Sequence, residues 1–299
     1  MLTGKQIAII GGDARHLEII HHFAELDASI RLFGYENLQI STSGTLKGKL
    51  LPSALKDIDV VVLPVVGTDD AGEIQTLFSS EKLFLHESHL NALPKHVKVF
   101  TGIAKPFLKN ACEKFNLRLI EWFDRDDVAI YNSIPTAEGA VMMAIQNTDF
   151  TIHGSISMVL GMGRTGLTLA RTLQGLGSQV KVGVRRAEHY ARAWEMGFKP
   201  FYIKDVADHV LDLDLLFNTI PTMIVTAHVI ANIPQKALII DLASQPGGTD
   251  FRYAEKRGIK ALLAPGLPGI VAPKTAGRII AHTLSGLLQD DFENGRITG

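Results

Sequence analysis

Short apolar runs alternate along this chain with stretches in which apolar positions return every three or four residues, and the alternation happens twice over. Such a pattern predicts parallel sheets with crossover helices. In the first half it predicts strands at 6–10, 29–33, 59–63, 97–101 and 117–121, with helices at 14–26 and 106–115. In the second half the predicted strands are 157–160, 179–183, 213–218, 237–241 and 260–263, and the helices are 164–176, 187–196 and 250–256. Between the halves, Asn132-Ser-Ile-Pro-Thr-Ala-Glu-Gly139 precedes the apolar segment 140–145. Thr136 can cap a helix there, with Glu138 in its first turn where the dipole favours a carboxylate. A last amphipathic helix is predicted over 274–288, with a polar, frayed tail after Gln289.

The expected architecture is therefore α/β, with two Rossmann-like or flavodoxin-like parallel-sheet domains. Residues 1–134 would form an N-terminal substrate domain, 135–150 a connecting helix and 151–272 a dinucleotide-binding domain. Residues 273–299 would supply a C-terminal helix that packs back across the junction over a cleft. Length and composition allow this: 299 residues with 46% hydrophobic content suffice for two cores. Thirty basic residues against 31 acidic ones give no electrostatic case for nucleic acid or an anionic membrane. The lone Cys112 rules out an internal disulfide and suits a reducing compartment, so cytoplasm is the default expectation. The apolar run at 7–10 is too short for a signal-peptide core, and no stretch approaches the roughly 18 apolar residues of a membrane span.

The strongest chemical motif is Gly161-Met162-Gly163-Arg164-Thr165-Gly166, placed between a predicted strand and a predicted helix. In that context Gly161 makes the tight turn, Gly163 lets a pyrophosphate approach the backbone, and Gly166 lets helix and strand pack closely. The motif implies a nicotinamide dinucleotide. About twenty residues on, an NAD enzyme would offer a carboxylate to the ribose, whereas this chain offers Gly183-Val184-Arg185-Arg186. Gly183 would leave room for a 2′-phosphate, and two guanidinium groups would hold it, which favours NADP. The other reading is that both arginines solvate a helix start.

Two further loops fall at carboxyl ends of strands, where open α/β sheets bind ligands. Thr219-Ile220-Pro221 would line the nicotinamide ribose. Ala243-Ser244-Gln245-Pro246-Gly247-Gly248 would approach the ring or the substrate through backbone amides, or would be a plain turn before Asp250 caps a helix. In the first half, Gly11-Gly12-Asp13-Ala14-Arg15 lacks the third glycine of a dinucleotide site. Arg15 there either holds a substrate carboxylate or belongs to a structural turn. His21 and His22, adjacent on a helix, point about 100° apart and make a poor chelating pair, so no metal is expected.

These motifs, together with Pro135-Thr-Ala-Glu-Gly139, Gly266-Leu-Pro-Gly269 and Ala272-Pro-Lys-Thr-Ala-Gly277, resemble the A-subunit family of dipicolinate synthase over nearly the whole chain. The resemblance implies an oxidoreductase of sporulating bacteria, working in the mother-cell cytoplasm. It would oxidise dihydrodipicolinate from the lysine pathway to pyridine-2,6-dicarboxylate with NADP. It also implies a second, flavoprotein-like partner, the B-subunit of the synthase, together with self-association. In fold the family is similar to the 2-hydroxyacid and alanine dehydrogenases. Because oxidation creates an aromatic ring, placement and charge are the main demands. Arg15, Thr136, Glu138, Ser244, Gly247 and Lys274 are the candidates for holding the dicarboxylate; no catalytic side chain is singled out.

Two rival readings remain. One is a dehydrogenase of a 2-hydroxy or 2-amino acid; the 2-hydroxyacid group would need an arginine in the loop at 243–247 and a histidine near 266–270, and neither is present. A non-catalytic assembly protein that binds NADP without turnover is compatible with every motif.

Overall fold

The computed structural model describes residues 1–40 and 42–296, and the chain divides into two compact units. Residues 1–128 and 273–299 make one, and 129–272 the other. In chain order the first stretch carries β1 (Gln6–Ile10), α1 (Arg15–Glu25), β2 (Ser29–Phe33), β3 (Thr45–Gly48), β4 (Val60–Val62), β5 (Glu73–Ile74), β6 (Leu83–Phe84), α2 (Glu87–Ala92), β7 (Lys98–Thr101), α3 (Pro106–Lys114) and β8 (Arg118–Glu121). Then come α4 (Asp126–Asn147), β9 (Ile156–Leu160), α5 (Arg164–Gly175), β10 (Gln179–Val184), α6 (Ala187–Glu195), β11 (Lys199–Tyr202), α7 (Val206–His209) and β12 (Leu215–Asn218). The chain continues through α8 (Ala227–Ala231), β13 (Leu238–Asp241), α9 (Phe251–Lys256), β14 (Lys260–Leu263), α10 (Leu267–Val271) and α11 (Pro273–Arg296).

Each unit is built on a six-stranded sheet, ordered β3-β2-β1-β4-β7-β8 in the first and β11-β10-β9-β12-β13-β14 in the second. The strand pairings in both sheets are parallel. In both orders the chain winds outward one way from its first strand and then reverses, so a switch point lies beside β1 and beside β9. Alternate residues of the central strands feed the two faces. Ile7 and Ile9 join one core cluster while Ala8 and Ile10 join the other, and Val159 is separated from Met158 and Leu160 in the same way.

The sheet edges opposite β8 and β14 carry no clear hydropathy pattern. In β3 a single leucine stands among Thr45, Lys47 and Gly48, and β11 opens Lys199-Pro200. Proline is tolerated there because β11 lies at a sheet edge, where one side of the strand needs no donors. The connecting segment also differs from expectation. The helix does not start at Thr136 but at Asp126, where Asp126 and Asp127 occupy the first turn and the Asp127 carboxylate accepts the Val128 amide at 2.9 Å. Pro135 then sits inside the helix.

The C-terminal helix belongs with the first unit. Ile280, Ala281, Leu284 and Leu288 are buried in the cluster that holds Ile19, Ile20 and Phe23 of α1, and each large apolar side chain so buried contributes about 1.5–3 kcal/mol. The two helices run parallel: Gly277 lies against the Arg15 carbonyl, Arg278 pairs with Glu18 at 2.9 Å, and His22 meets Ser285 at 3.0 Å. Instead of ending near Leu288, α11 continues to Arg296; residues 297–299, the end of the expected frayed tail, lie outside the described residues.

His22 also lies edge-on to His282 at 4.7 Å between ring centres. Burial, and then the neighbouring His282, lower its pKa below the ordinary 6.5. The unfolded chain thus takes up a proton at this position below about pH 6.5 while the folded chain resists it, so acidification through that window favours unfolding. Stability should be greater above that pH and decline below it. In His22→Gln the decline between about pH 7.5 and 5.5 should be shallower, as read by urea denaturation at the two pH values; an unchanged difference would show that the helix pair does not sense pH through His22.

Candidate functional site

The glycine loop between β9 and α5 has the geometry that its sequence implies. Gly161 takes a left-handed φ of +101°, and a side chain there would strike the Thr219 hydroxyl. A Cβ on Gly166 would run into the carbonyl of Gly161, whereas a Cβ on Gly163 would meet nothing within 4 Å. Thus two glycines hold strand and helix together and the third faces open space. No side chain caps α5, and its first turn carries no acidic residue. Its leading amides and the positive end of its dipole are therefore left for an anion.

A cavity of about 520 Å³ opens over this loop, lined by Gly161, Met162, Gly163, Arg164, Gly183, Val184, Arg185, Arg186, His189, Ile203, Thr219, Ile220 and Pro221. Nine of the twelve residues singled out for a coenzyme are in that lining. Thr165, Gly166 and Ala243 are absent from it; Gly166 is sealed against Gly161, and Ala243 is 8% exposed. Sequence reasoning misses His189 and Ile203, which line the same cavity. His189 follows Arg186 by one helical turn and meets its guanidinium, so the pairing of an arginine with a residue three positions on is the available signal.

Gly183 lines this cavity, and packing constrains it as well. A Cβ there would lie 2.8 Å from the Leu160 side chain and 2.9 Å from the Phe201 ring. Packing between neighbouring strands therefore also favours glycine at this position. The two arginines also differ from each other. Arg186 pairs with Glu188 at 3.1 Å as well as with His189. Arg185 forms no hydrogen bond or ion pair with any described residue. It also lines a neighbouring cavity of about 520 Å³ with Val184, Tyr202, Ile203 and Lys204.

The strand ends that carry the remaining loops are tied by two wholly buried polar side chains, Asn218 and Asp241. The Asn218 amide donates to the Asp241 carboxylate at 3.0 Å and to the Ile220 carbonyl at 3.0 Å. Asp241 further accepts the amides of Ala243 at 3.0 Å and Gly248 at 2.8 Å. The amide of Gly247 is taken by the Ser244 carbonyl at 2.9 Å. The amides of Gly247 and Gly248 are thus engaged inside the protein and closed to a ring or substrate. Gly247 is itself buried, while Ser244 is exposed. Asp250 caps α9 by accepting the Tyr253 amide at 3.0 Å, as the turn reading requires.

The other substrate candidates fare unequally. Thr136 lies mid-helix with its hydroxyl donated to the Asn132 carbonyl at 2.8 Å, so it caps nothing; Glu138 is exposed on α4. Arg15 is locked onto Asp13, its Nε donating at 2.9 Å and its Nη2 joining the same carboxylate. Burial alone would raise the Asp13 carboxyl, but the hydrogen bonds from His16 and Arg15 hold it far below the usual carboxylate range. Lys274 is exposed in the first turn of α11, which places it at the same end of the parallel helix pair as Arg15.

A sequence model of the N-terminal domain of the dipicolinate synthase A-subunit matches residues 6–123. The dipicolinate synthase A-subunit of Bacillus subtilis (strain 168) is 52% identical over 290 residues, 97% of this chain and 98% of that protein. The chain belongs to the dipicolinate synthase A-subunit family. A crystal structure of the A-subunit from Bacillus halodurans has 52% identity and superposes with a TM-score of 0.93, over 96% of this chain and 99% of that one. L-alanine dehydrogenase, at 14% identity with coverage of 95% and 88%, shares the fold with a TM-score of 0.63. Among the described residues of this family member, no helix is long and apolar enough to cross a membrane.

The glycine geometry separates folding from binding. Gly166→Ala should lower stability by about 1–3 kcal/mol through overpacking, whereas Gly163→Val should leave the melting temperature within about 2 °C of wild type while abolishing coenzyme binding. Thermal denaturation paired with coenzyme titration checks both. Equal melting temperatures for the two variants would contradict the close approach at Gly166.

Proposed function

We propose that the chain is the NADP-dependent component of an oxidoreductase that oxidises dihydrodipicolinate to pyridine-2,6-dicarboxylate. The observation that carries this reading is the 52% identity to the dipicolinate synthase A-subunit across nearly the full length of both chains. The glycine loop supports the coenzyme: an uncapped helix start, an open face at Gly163 and a cavity above it fit a dinucleotide pyrophosphate. The loop amides would hold the pyrophosphate, Arg164 lies beside it, and Thr219, Ile220 and Pro221 form the wall for the nicotinamide ribose. When bound, NADP supplies the hydride acceptor.

Discrimination for NADP falls chiefly to Arg185, whose guanidinium is uncommitted, and less to Arg186, which Glu188 and His189 already engage. Of the donors singled out for the substrate, Lys274 in the first unit and Ser244 in the second are both exposed, and neither is assigned a role in the reaction. By the same reading the protein works in the cytoplasm of a sporulating cell, with the flavoprotein-like partner of the synthase, and self-associates.

Calorimetric titration should find NADP bound more tightly than NAD, with Arg185→Ala weakening NADP by about tenfold to a hundredfold, the value of one charge-assisted hydrogen bond. Arg186→Ala should have a smaller effect. Equal affinity for the two coenzymes in the wild type would reduce both arginines to a solvated helix start. The reaction itself is tested by ultraviolet detection of dipicolinate from freshly generated lysine-pathway intermediate, with this chain alone and with the flavoprotein-like partner. Absence of product in both mixtures would refute the proposed reaction.

A further inference from the structure

The first unit holds a cavity of its own, separate from the glycine loop and from every residue singled out by motif. It measures about 250 Å³ and is lined by Val66, Thr68, Asp69, Glu73, Gln75 and Lys105. That is below the roughly 300–1,000 Å³ of drug-sized sites, so its occupant is a small metabolite. It sits where the loops following β4 and β7 meet the segment around Gln75: Val66 bridges to Ile103, and Thr76 bridges to Gly12 in the loop after β1. The cavity thus lies beyond the carboxyl ends of neighbouring strands β4 and β7, the end of the sheet at which open α/β folds take ligands.

The chemistry of the lining is unbalanced in a particular way. Thr68 is 1% exposed, yet its hydroxyl has no hydrogen-bond partner. Such an orphan costs free energy that a ligand oxygen would recover after rotation about the Cα–Cβ bond. The Gln75 amide and the Lys105 ammonium are engaged by no other described side chain. On the acidic side, Glu73 is paired with Lys82 at 3.1 Å. Asp69 accepts the Ala71 and Glu73 amides, each at 2.8 Å, through Oδ1 alone, leaving Oδ2 for another donor. Lys105 and Asp69 thus share one small cavity without closing on each other.

The geometry points to a binding site for a small carboxylate that also carries a nitrogen-bound proton: Lys105, Gln75 and Thr68 take the carboxylate, and Asp69 takes the N–H. An oxygen-rich anion alone would leave Asp69 facing like charge, and an amine alone would leave Lys105 so, whereas a molecule with both groups satisfies each. That the natural occupant is dihydrodipicolinate rests on the proposed function; the recognition chemistry does not.

The test uses the full chain and two stable probes of equal shape. Piperidine-2,6-dicarboxylate carries a protonated ring nitrogen, and cis-cyclohexane-1,3-dicarboxylate lacks it. Calorimetry should show the piperidine bound at least about tenfold more tightly, one charge-assisted hydrogen bond being worth that much. Lys105→Met should weaken both probes by a similar factor. Asp69→Asn, which keeps the Oδ1 acceptor of the turn, should erase the preference between them. Coenzyme titration of each variant, unchanged from wild type, establishes that the protein is folded. Equal affinity of the wild type for the two probes, no binding of either at millimolar concentration, or Lys105→Met indistinguishable from wild type would each overturn the site. Failure of the proposed reaction is read separately: probes that bind as described with no dipicolinate formed remove the reaction and leave the site, while wild-type turnover in Lys105→Met does the reverse.

Discussion

The second unit depends on one buried contact, the 3.0 Å hydrogen bond between Asn218 and Asp241. Both side chains are completely buried at adjacent strand ends, where an unpaired amide or carboxylate would be strongly unfavourable. Each therefore recruits backbone from the loop that follows its strand. Asn218 engages Ile220 through both its oxygen and its nitrogen, and Asp241 gathers Ala243 and Gly248. The 218–222 loop is thereby drawn against Gly248, which has no room for a side chain between Asn218, Ile220 and Thr222. The wall that Thr219, Ile220 and Pro221 give the cavity over the glycine loop is a consequence of that small polar network.

What is legible in the residue order divides along physical lines. Central strands can be read because they are buried and form continuous apolar runs: β1 and β2 match their predicted bounds residue for residue, and Gly161 and Gly163 fall in the turn before α5, with Gly166 in its first turn. The edge strands β3 and β11 cannot, since Thr45-Leu46-Lys47 and Lys199-Pro200 lack an apolar signature, whereas β14 at the opposite edge is read from its Ala261-Leu262-Leu263 run. The start of α4 is obscured because Pro135 resembles a boundary, although a proline can remain inside a long helix when its neighbours pack well enough to offset the lost hydrogen bond. Side-chain commitments are the least legible of all. Nothing in the order of residues distinguishes Arg15, clamped on its own Asp13, from Arg185, which has no partner among the described residues. The difference lies in which carboxylate is within reach after folding.

That difference also explains how two sheets with the same strand order come to offer different sites. In the second unit the loop after β9 leaves space above Gly163. In the first, the equivalent turn after β1 is filled by the protein itself. A side chain on Gly12 would meet the His16 ring, and one on Gly11 would meet Ile74 and the Gln75 carbonyl. Tyr35 donates to the Gly11 carbonyl at 2.7 Å from a fully buried position. The 74–77 segment is stitched across the turn through Gly12, which donates to Gln75 and accepts from Leu77. A pyrophosphate has no place there. The same stitching holds the Gln75 segment over the carboxyl end of the sheet, so that the first unit's opening shifts to the loops after β4 and β7. One topology thus yields a larger cavity where the glycine turn is bare, and a small polar one where His16, Tyr35 and the 74–77 segment occupy the equivalent turn.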